Sequence, residues 1–379
     1  MVRARSPRAV ALLAAVSVAC SGGSRPPGLG AFDFDAGADE SLVHAVRDAV
    51  PLREMPSCGG TAMSLTRRRA SAVLVIDRSG SMVESTLDGV RKWTALLAAL
   101  DRALPRIEQN VSLGLVMFPQ PLGPGVARTP ATICALRTTL DLEPRLGAAS
   151  AIMSRLRATL PDGPTPTAGA EEVAGRWFVN EPDRDGGRYI ILATDGAPNC
   201  NPALVPATCR CSSGPASCDP AMNTFASINC LDDARATSTI RLFRQQDIFT
   251  YVLGLNGAEA FTSVLDAMAE EGGRARSASP RFYPANTADD LVRELTAITS
   301  GIADCRFALD APPPDPSLVD LRLDGASLIH DEGHRDGWDW SDDARREIRF
   351  YGATCDRVTA ATGGSRLVAA YGCPAPAPP

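Results

Sequence analysis

SAVLVIDRSGSM, residues 71–82, reads as a strand that runs into a tight polar loop. Residues 71–76 are a nearly continuous apolar run rich in β-branched side chains, which suits a strand buried on both faces. The run stops at Asp77, and Ser79 and Ser81 then flank Gly80, which lets the chain turn sharply. Val90, Trp93, Leu96, Leu97 and Leu100 follow at spacings of three and four, which predicts a helix over 84–104. Further apolar runs predict strands at 111–118, 189–194, 248–255 and 282–283. Between and after them, helices are expected at 146–160, 168–178, 231–246, 258–271 and 288–302. This alternation implies right-handed crossovers and an α/β fold, a doubly wound, mostly parallel sheet flanked by helices.

The chain has 379 residues, 45% hydrophobic and 22% charged, proportions that exclude a mainly disordered, collagen-like or coiled-coil protein. Its length suits two domains, or one large and one small. Aromatic residues are only 5%, so the cores must rest on Ala, Val, Leu and Ile. Lys+Arg 38 against Asp+Glu 44 leaves a net charge of −6, and no basic surplus points to nucleic acid. Lys92 is the single lysine. A GxxxxGK phosphate loop is therefore absent, no nucleotide partner is expected, and Lys92 alone could serve as a Schiff-base amine.

The N-terminus reads as an export signal. Arg3, Arg5 and Arg8 precede an apolar run from Ala9 to Val18 that is too short to span a bilayer. Ser17 and Ala19 then lead to Cys20. The pattern resembles a bacterial lipoprotein signal, which implies cleavage after Ala19 and a lipid on Cys20; Ser17 departs from the leucine that the pattern prefers. An ordinary signal-peptidase cut after Ala19 is the alternative. Residues 1–19 are thus expected to be a signal peptide, and residues 20–57 a lipid anchor and flexible tether rich in Gly, Ser, Pro and Asp. Localisation is expected to be exported and membrane-anchored. Ser21 is not acidic, and by the same resemblance this favours the outer membrane or periplasmic side.

Eleven cysteines are present, at 20, 58, 134, 200, 209, 211, 218, 230, 305, 355 and 373. Without Cys20 the number is even, which suits disulfides in an oxidising compartment. The rival is a metal site around Cys209-Arg-Cys211, but paired CxxC spacing is missing and His44, His330 and His334 are scattered. After Cys305 the character changes. A Pro-rich break at 311–316 precedes short strands at 318–323, 347–351 and 366–371, with turn signals at Asp324-Gly325 and Asp336-Gly337. Residues 305–379 are expected to form a small β-rich domain with a Pro-rich tail. A bond between Cys355 and Cys373 would staple its limited core.

Three pieces carry chemistry. Asp77, Ser79 and Ser81 form a DxSxS motif at one strand exit, Thr165 and Thr167 open a helix, and Asp195 ends another strand. Ligands of open parallel sheets bind at the carboxyl ends of strands, near the point where strand order reverses. Two carboxylates and three hydroxyls are a hard, all-oxygen set, right for Mg²⁺ or Mn²⁺ and poor for zinc or copper. Five oxygens leave an octahedron incomplete, so a partner's carboxylate could enter.

Residues 68–303 resemble a von Willebrand factor type A domain, and the motif resembles its metal-ion-dependent adhesion site. The resemblance implies Asp77, Ser79, Ser81, Thr165 and Asp195 as the metal residues, with Thr167 as the alternative threonine. It implies Mg²⁺ or Mn²⁺, Ca²⁺ less well, direct contact from Ser79, Ser81 and Thr165, and a protein ligand that presents Asp or Glu. The domain is expected over 58–304, with a cysteine-rich insertion at 199–230. Its ends should lie close together, so a Cys58–Cys305 clasp is expected, the rival being Cys305 paired within the C-terminal domain. The insertion holds five cysteines, an odd number, so one must pair outside it or stay free, and Cys134 is the expected partner. The insertion would either shape the rim around the metal or act as a stapled, protease-resistant loop.

Trp338 and Trp340 are expected in the core of the β domain, Asp342-Asp343 in a solvated turn, and His330 and His334 on the surface without ligand partners. No GxSxG, HExxH or Ser/His/Asp spacing stands out. The expected function is a non-enzymatic, metal-dependent adhesion module on the bacterial envelope. The alternative is a structural component of an envelope assembly, with a degenerate or merely stabilising metal site. A metal-dependent hydrolase would need a general base beside the metal, and the sequence offers none there.

Overall fold

The computed structural model describes residues 61–181, 186–302, 305–360 and 366–372. The expected signal peptide, Cys20, the tether, Cys58, Cys373 and the Pro-rich tail lie outside the described residues.

Strands β1 (Thr61–Met63) and β2 (Leu65–Arg67) come first, and the decisive apolar run is β3 (Ser71–Asp77), buried along its whole length. A hairpin of β4 (Thr86–Leu87) and β5 (Val90–Arg91) follows. Next come β6 (Ser112–Phe118), β7 (Leu142–Arg145), β8 (Arg188–Thr194), β9 (Ile248–Leu255) and β10 (Tyr283–Ala285). Six of these make one sheet in the order β10-β9-β8-β3-β6-β7. All its pairings are parallel except that of the edge strand β7 with β6. From β3 the chain moves one way to β6 and later returns to the other side as β8. Strand order therefore reverses at β3, and the crevice lies at the carboxyl ends of β3 and β8.

Period-two alternation divides the core between the two sheet faces. Ala72, Leu74 and Ile76 of β3 pack with the helices Lys92–Ile107, Ala149–Arg157 and Ala288–Ile302. Val73 and Val75 face Thr167–Asn180, Asp233–Arg244 and Thr262–Glu271. The helix expected from residue 84 starts instead at Lys92. The cause is Asp88-Gly89, whose φ angles of 52° and 78° suit the mirror-image turn that closes a two-residue hairpin. Among the described residues no helix is long and apolar enough to cross a membrane.

The C-terminal region adds β11 (Arg306–Leu309), β12 (Val319–Leu323), β13 (Ala326–Ser327), β14 (Gly337–Trp340), β15 (Glu347–Tyr351) and β16 (Leu367–Tyr371). They form two four-stranded antiparallel sheets, β1-β16-β12-β13 and β14-β15-β11-β2. Thus β1 and β2, which precede the α/β sheet in the chain, are strands of the β-rich region. The chain leaves that region at β2 and returns at β11, its antiparallel partner. Trp338 and Trp340 lie in its core with Phe307, Ile348 and Phe350. The Trp338 indole donates to the Leu328 carbonyl at 3.2 Å.

Four disulfides join described cysteines: Cys134–Cys200, Cys209–Cys230, Cys211–Cys218 and Cys305–Cys355. Cys134 is the outside partner of the insertion, as its odd number required. The expected Cys58–Cys305 and Cys355–Cys373 bonds are both overturned, because Cys305 and Cys355 bond to each other. His330 and His334 do have a partner: each places Nε2 against one oxygen of Asp339, at 2.9 and 2.8 Å.

Candidate functional site

Asp77 ends β3 and Asp195 follows β8, so parallel pairing sets the two carboxylates side by side at the crevice. Both are buried. Asp77 accepts the Ser79 backbone N–H on Oδ1 at 2.8 Å and the Thr194 hydroxyl on Oδ2 at 2.6 Å. Burial pushes its carboxyl well above the usual range, and the neighbouring Asp195 charge pushes it further against those hydrogen bonds. Ser79 Oγ lies 3.0 Å from Ser81 Oγ, and Ser81 Oγ donates to Asp195 Oδ1 at 2.7 Å. Asp77, Ser79, Ser81 and Asp195 are thus brought into one cluster of oxygens.

Thr165 reaches the same edge on a loop tied to the motif by its backbone. The Asp162 N–H donates to the Arg78 carbonyl at 2.8 Å, and the Gly80 N–H donates to the Gly163 carbonyl at 3.0 Å. Thr165 and Thr167 are both buried; Thr167 begins the next helix and turns its hydroxyl back to the Thr165 carbonyl at 3.4 Å.

Four further residues surround the cluster, and three of them carry no separate signal in the sequence. Arg78, inside the motif, donates Nε to the Pro119 carbonyl at 2.7 Å and a terminal nitrogen to the Leu160 carbonyl at 3.0 Å, pinning both flanking loops. Thr194 supplies one of the Asp77 hydrogen bonds. Asn199 clamps Thr165: its side chain accepts the Thr165 N–H at 2.8 Å and its own N–H donates to the Thr165 carbonyl at 2.9 Å. Its amide nitrogen also donates to Ser212 at 3.0 Å, and its neighbour Cys200 is bonded to Cys134. The cysteine-rich insertion is in this way a buttress for the Thr165 loop. The fourth is Lys92, whose ammonium donates to Asp195 Oδ2 at 2.9 Å in a buried ion pair. Its one visible signal is that no other lysine exists in the chain.

No protein-family model matches the sequence, and no curated protein matches it. Solved structures do. A pilus adhesin, SpaC, from Lactobacillus rhamnosus GG is 15% identical with a TM-score of 0.45; the match covers 81% of this chain and 39% of that one. The vWF domain of the type V pili tip protein of Porphyromonas gingivalis is 14% identical at a TM-score of 0.40, covering 62% of this chain and 97% of that chain. The manganese-loaded TRAP protein of Plasmodium vivax is 13% identical at 0.39, over 63% of this chain and 78% of that one. The chain spans about two-fifths of the adhesin's length.

The donor set is all oxygen, the chemistry a small hard dication takes. Separations of 3.0 and 2.7 Å along Ser79, Ser81 and Asp195 are close to the edge of an Mg²⁺ octahedron, about 3 Å for bonds of about 2.1 Å. When ionised, Asp77 and Asp195 carry more negative charge than Lys92 balances. The sulfur alternative is different in kind. Cys209, Cys218 and Cys230 place their sulfurs within 4.8 Å of one another, but each is in a disulfide and has no thiolate to offer a metal.

Proposed function

We propose that the protein is a non-enzymatic, divalent-cation-dependent protein-binding module of the bacterial envelope. The observation that carries the reading is the run of oxygens from Ser79 through Ser81 to Asp195, beside Asp77, at the switch point of a parallel sheet. Asp77, Ser79, Ser81, Thr165 and Asp195 would hold Mg²⁺ or Mn²⁺. An ion held there would offer a Lewis-acidic contact for an Asp or Glu carboxylate of a protein partner. The protein's own groups do the rest: Arg78 and Asn199 hold the loops, and Thr194 and the Ser79 N–H orient Asp77. Against covalent chemistry, the serine hydroxyls of the cluster bond to each other and to Asp195, and the described histidines belong to the β-rich region. Export with a lipid on Cys20 belongs to the same proposal, and four disulfides among the described residues suit an oxidising compartment.

Asp77→Asn tests the metal. The amide oxygen still accepts from Ser79, and Thr194 can turn its hydroxyl to the Gly196 carbonyl at 3.4 Å while it accepts from the amide. The fold is kept and the anionic ligand is lost. In thermal unfolding of the metal-stripped chain, Mg²⁺ or Mn²⁺ at a hundred times Kd should stabilise the wild type by about 2.7 kcal/mol. The variant should not respond. No response in the wild type would overturn the reading.

The second reading is a structural component of an envelope assembly whose cluster needs no ion. The Lys92–Asp195 pair favours it, because part of the charge is already balanced from within. It predicts that loss of the cysteine-rich insertion weakens assembly more than Asp77→Asn does.

A further inference from the structure

Lys92 stands where helix energetics do not call for a cation. It is the first residue of the helix Lys92–Ile107, at the end where the helix dipole is positive and anions are favoured. Its side chain is 3% exposed and that of Asp195 is fully buried. A buried ammonium is retained only when paired and hydrogen-bonded. Here the pairing is specific: Nζ meets Asp195 Oδ2, while Oδ1 of the same carboxylate faces Ser81 and the oxygen cluster. The loop after β9 closes over the pair at Gly257, where a Cβ would sit 3.0 Å from Lys92 Nζ and 3.2 Å from the Asp195 carbonyl oxygen. The absence of a side chain at Gly257 lets this loop pass close to the ammonium and the Asp195 backbone. Everywhere else the chain uses arginine as its long cation.

We propose that Lys92 is the resident counter-cation of the site. Its fixed charge neutralises Asp195, so the hydroxyl–carboxylate cluster stays assembled without a metal ion, and an entering dication binds against one positive charge that does not leave. The inference rests on the metal-site reading above and adds to it a built-in limit on affinity. A site of this kind is stable when empty and weak enough to exchange its ion.

The test is Lys92→Met, which keeps the length and removes the charge, in the oxidised full chain. Metal-free thermal midpoints and calorimetric Mg²⁺ and Mn²⁺ affinities are measured for wild type, K92M, D77N, D195N and the double variant K92M/D195N. Expected for K92M are a metal-free midpoint lower by at least about 5 °C, recovery of that loss on adding Mg²⁺ or Mn²⁺, and at least tenfold tighter ion binding. The double variant no longer buries Asp195 without its counter-charge and should regain most of the metal-free midpoint, which keeps the charge argument testable if K92M folds poorly. Equal or weaker ion affinity in K92M, with the wild type binding and D77N not, would overturn the role of Lys92 alone. Absence of ion binding in wild type and K92M alike would overturn the metal-site reading and the inference with it.

Discussion

Glu171 offers a perturbation whose size can be worked out. It lies on the helix Thr167–Asn180, which follows the Thr165 loop, and its side chain is fully buried. The Thr250 hydroxyl donates to Oε2 at a long 3.4 Å, and Oε1 has no hydrogen-bond partner. Burial therefore dominates, and the carboxyl is pushed up from its ordinary 4.5 to about 8. At pH 7 the side chain enters the fold neutral. Taking up that proton costs about 1.4 kcal/mol for each pH unit above the unfolded value, or about 3 kcal/mol at pH 7 and under 1 kcal/mol at pH 5. The sign follows from a raised folded value. The stability linked to this group is fully present below 4.5 and is lost as pH rises through about 8. Glu171→Gln keeps the shape and carries no such cost. Urea unfolding at pH 5, 6, 7 and 8, with chelator and intact disulfides, should show the variant's advantage growing by about 3–4 kcal/mol across the range. Asp77 titrates in both proteins, so the difference between them isolates Glu171. A gap that does not change with pH, or a variant that loses stability at pH 8, would mean that Glu171 is ionised and paired in the fold.

Replacing Cys134 and Cys200 together by serine opens a loop of 66 residues, for which chain entropy gives a loss of about 4 kcal/mol, read as a lower urea midpoint. Because Cys200 adjoins Asn199, the same variant should also bind Mg²⁺ more weakly. Asn199→Ala removes the side-chain acceptor of the Thr165 N–H and should weaken Mg²⁺ binding about tenfold by calorimetry, with a stability loss of about 1–3 kcal/mol. Unchanged affinity would show that the Thr165 loop holds its place without the insertion.

The expected site residues other than Thr167 lie together or on loops bonded to one another, and this much was legible because each is local to a strand exit. A strand buried on both faces must be apolar along its length, so β3, β6, β8 and β9 announce themselves as uninterrupted runs, and the residue that breaks each run marks the crevice. The β4–β5 hairpin was hidden by coincidence. Val90 matches the helical spacing of Trp93 and Leu97, yet it sits in the hairpin and is exposed, and Asp88-Gly89 is the local signal for that turn.

What residues 71–82 and the later strand exits determined is the type of sheet and the edge at which its chemistry gathers, since both follow from which side chains must leave water locally. Tertiary structure alone decided the partners. Strands β1 and β2 are three residues long, too short to show a period, and their pairing with β16 and β11 spans more than two hundred residues of chain. Cys305 chose Cys355 over the bonds expected for each, because β-sheet pairing and the following helix bring those two together. Lys92 meets Asp195 across 103 residues, and nothing in the local sequence of either says so. Local sequence encodes which face of an element is buried; which group waits opposite it depends on the crossing of the chain, and at this site that crossing sets an ammonium against the carboxylate proposed to face a metal ion.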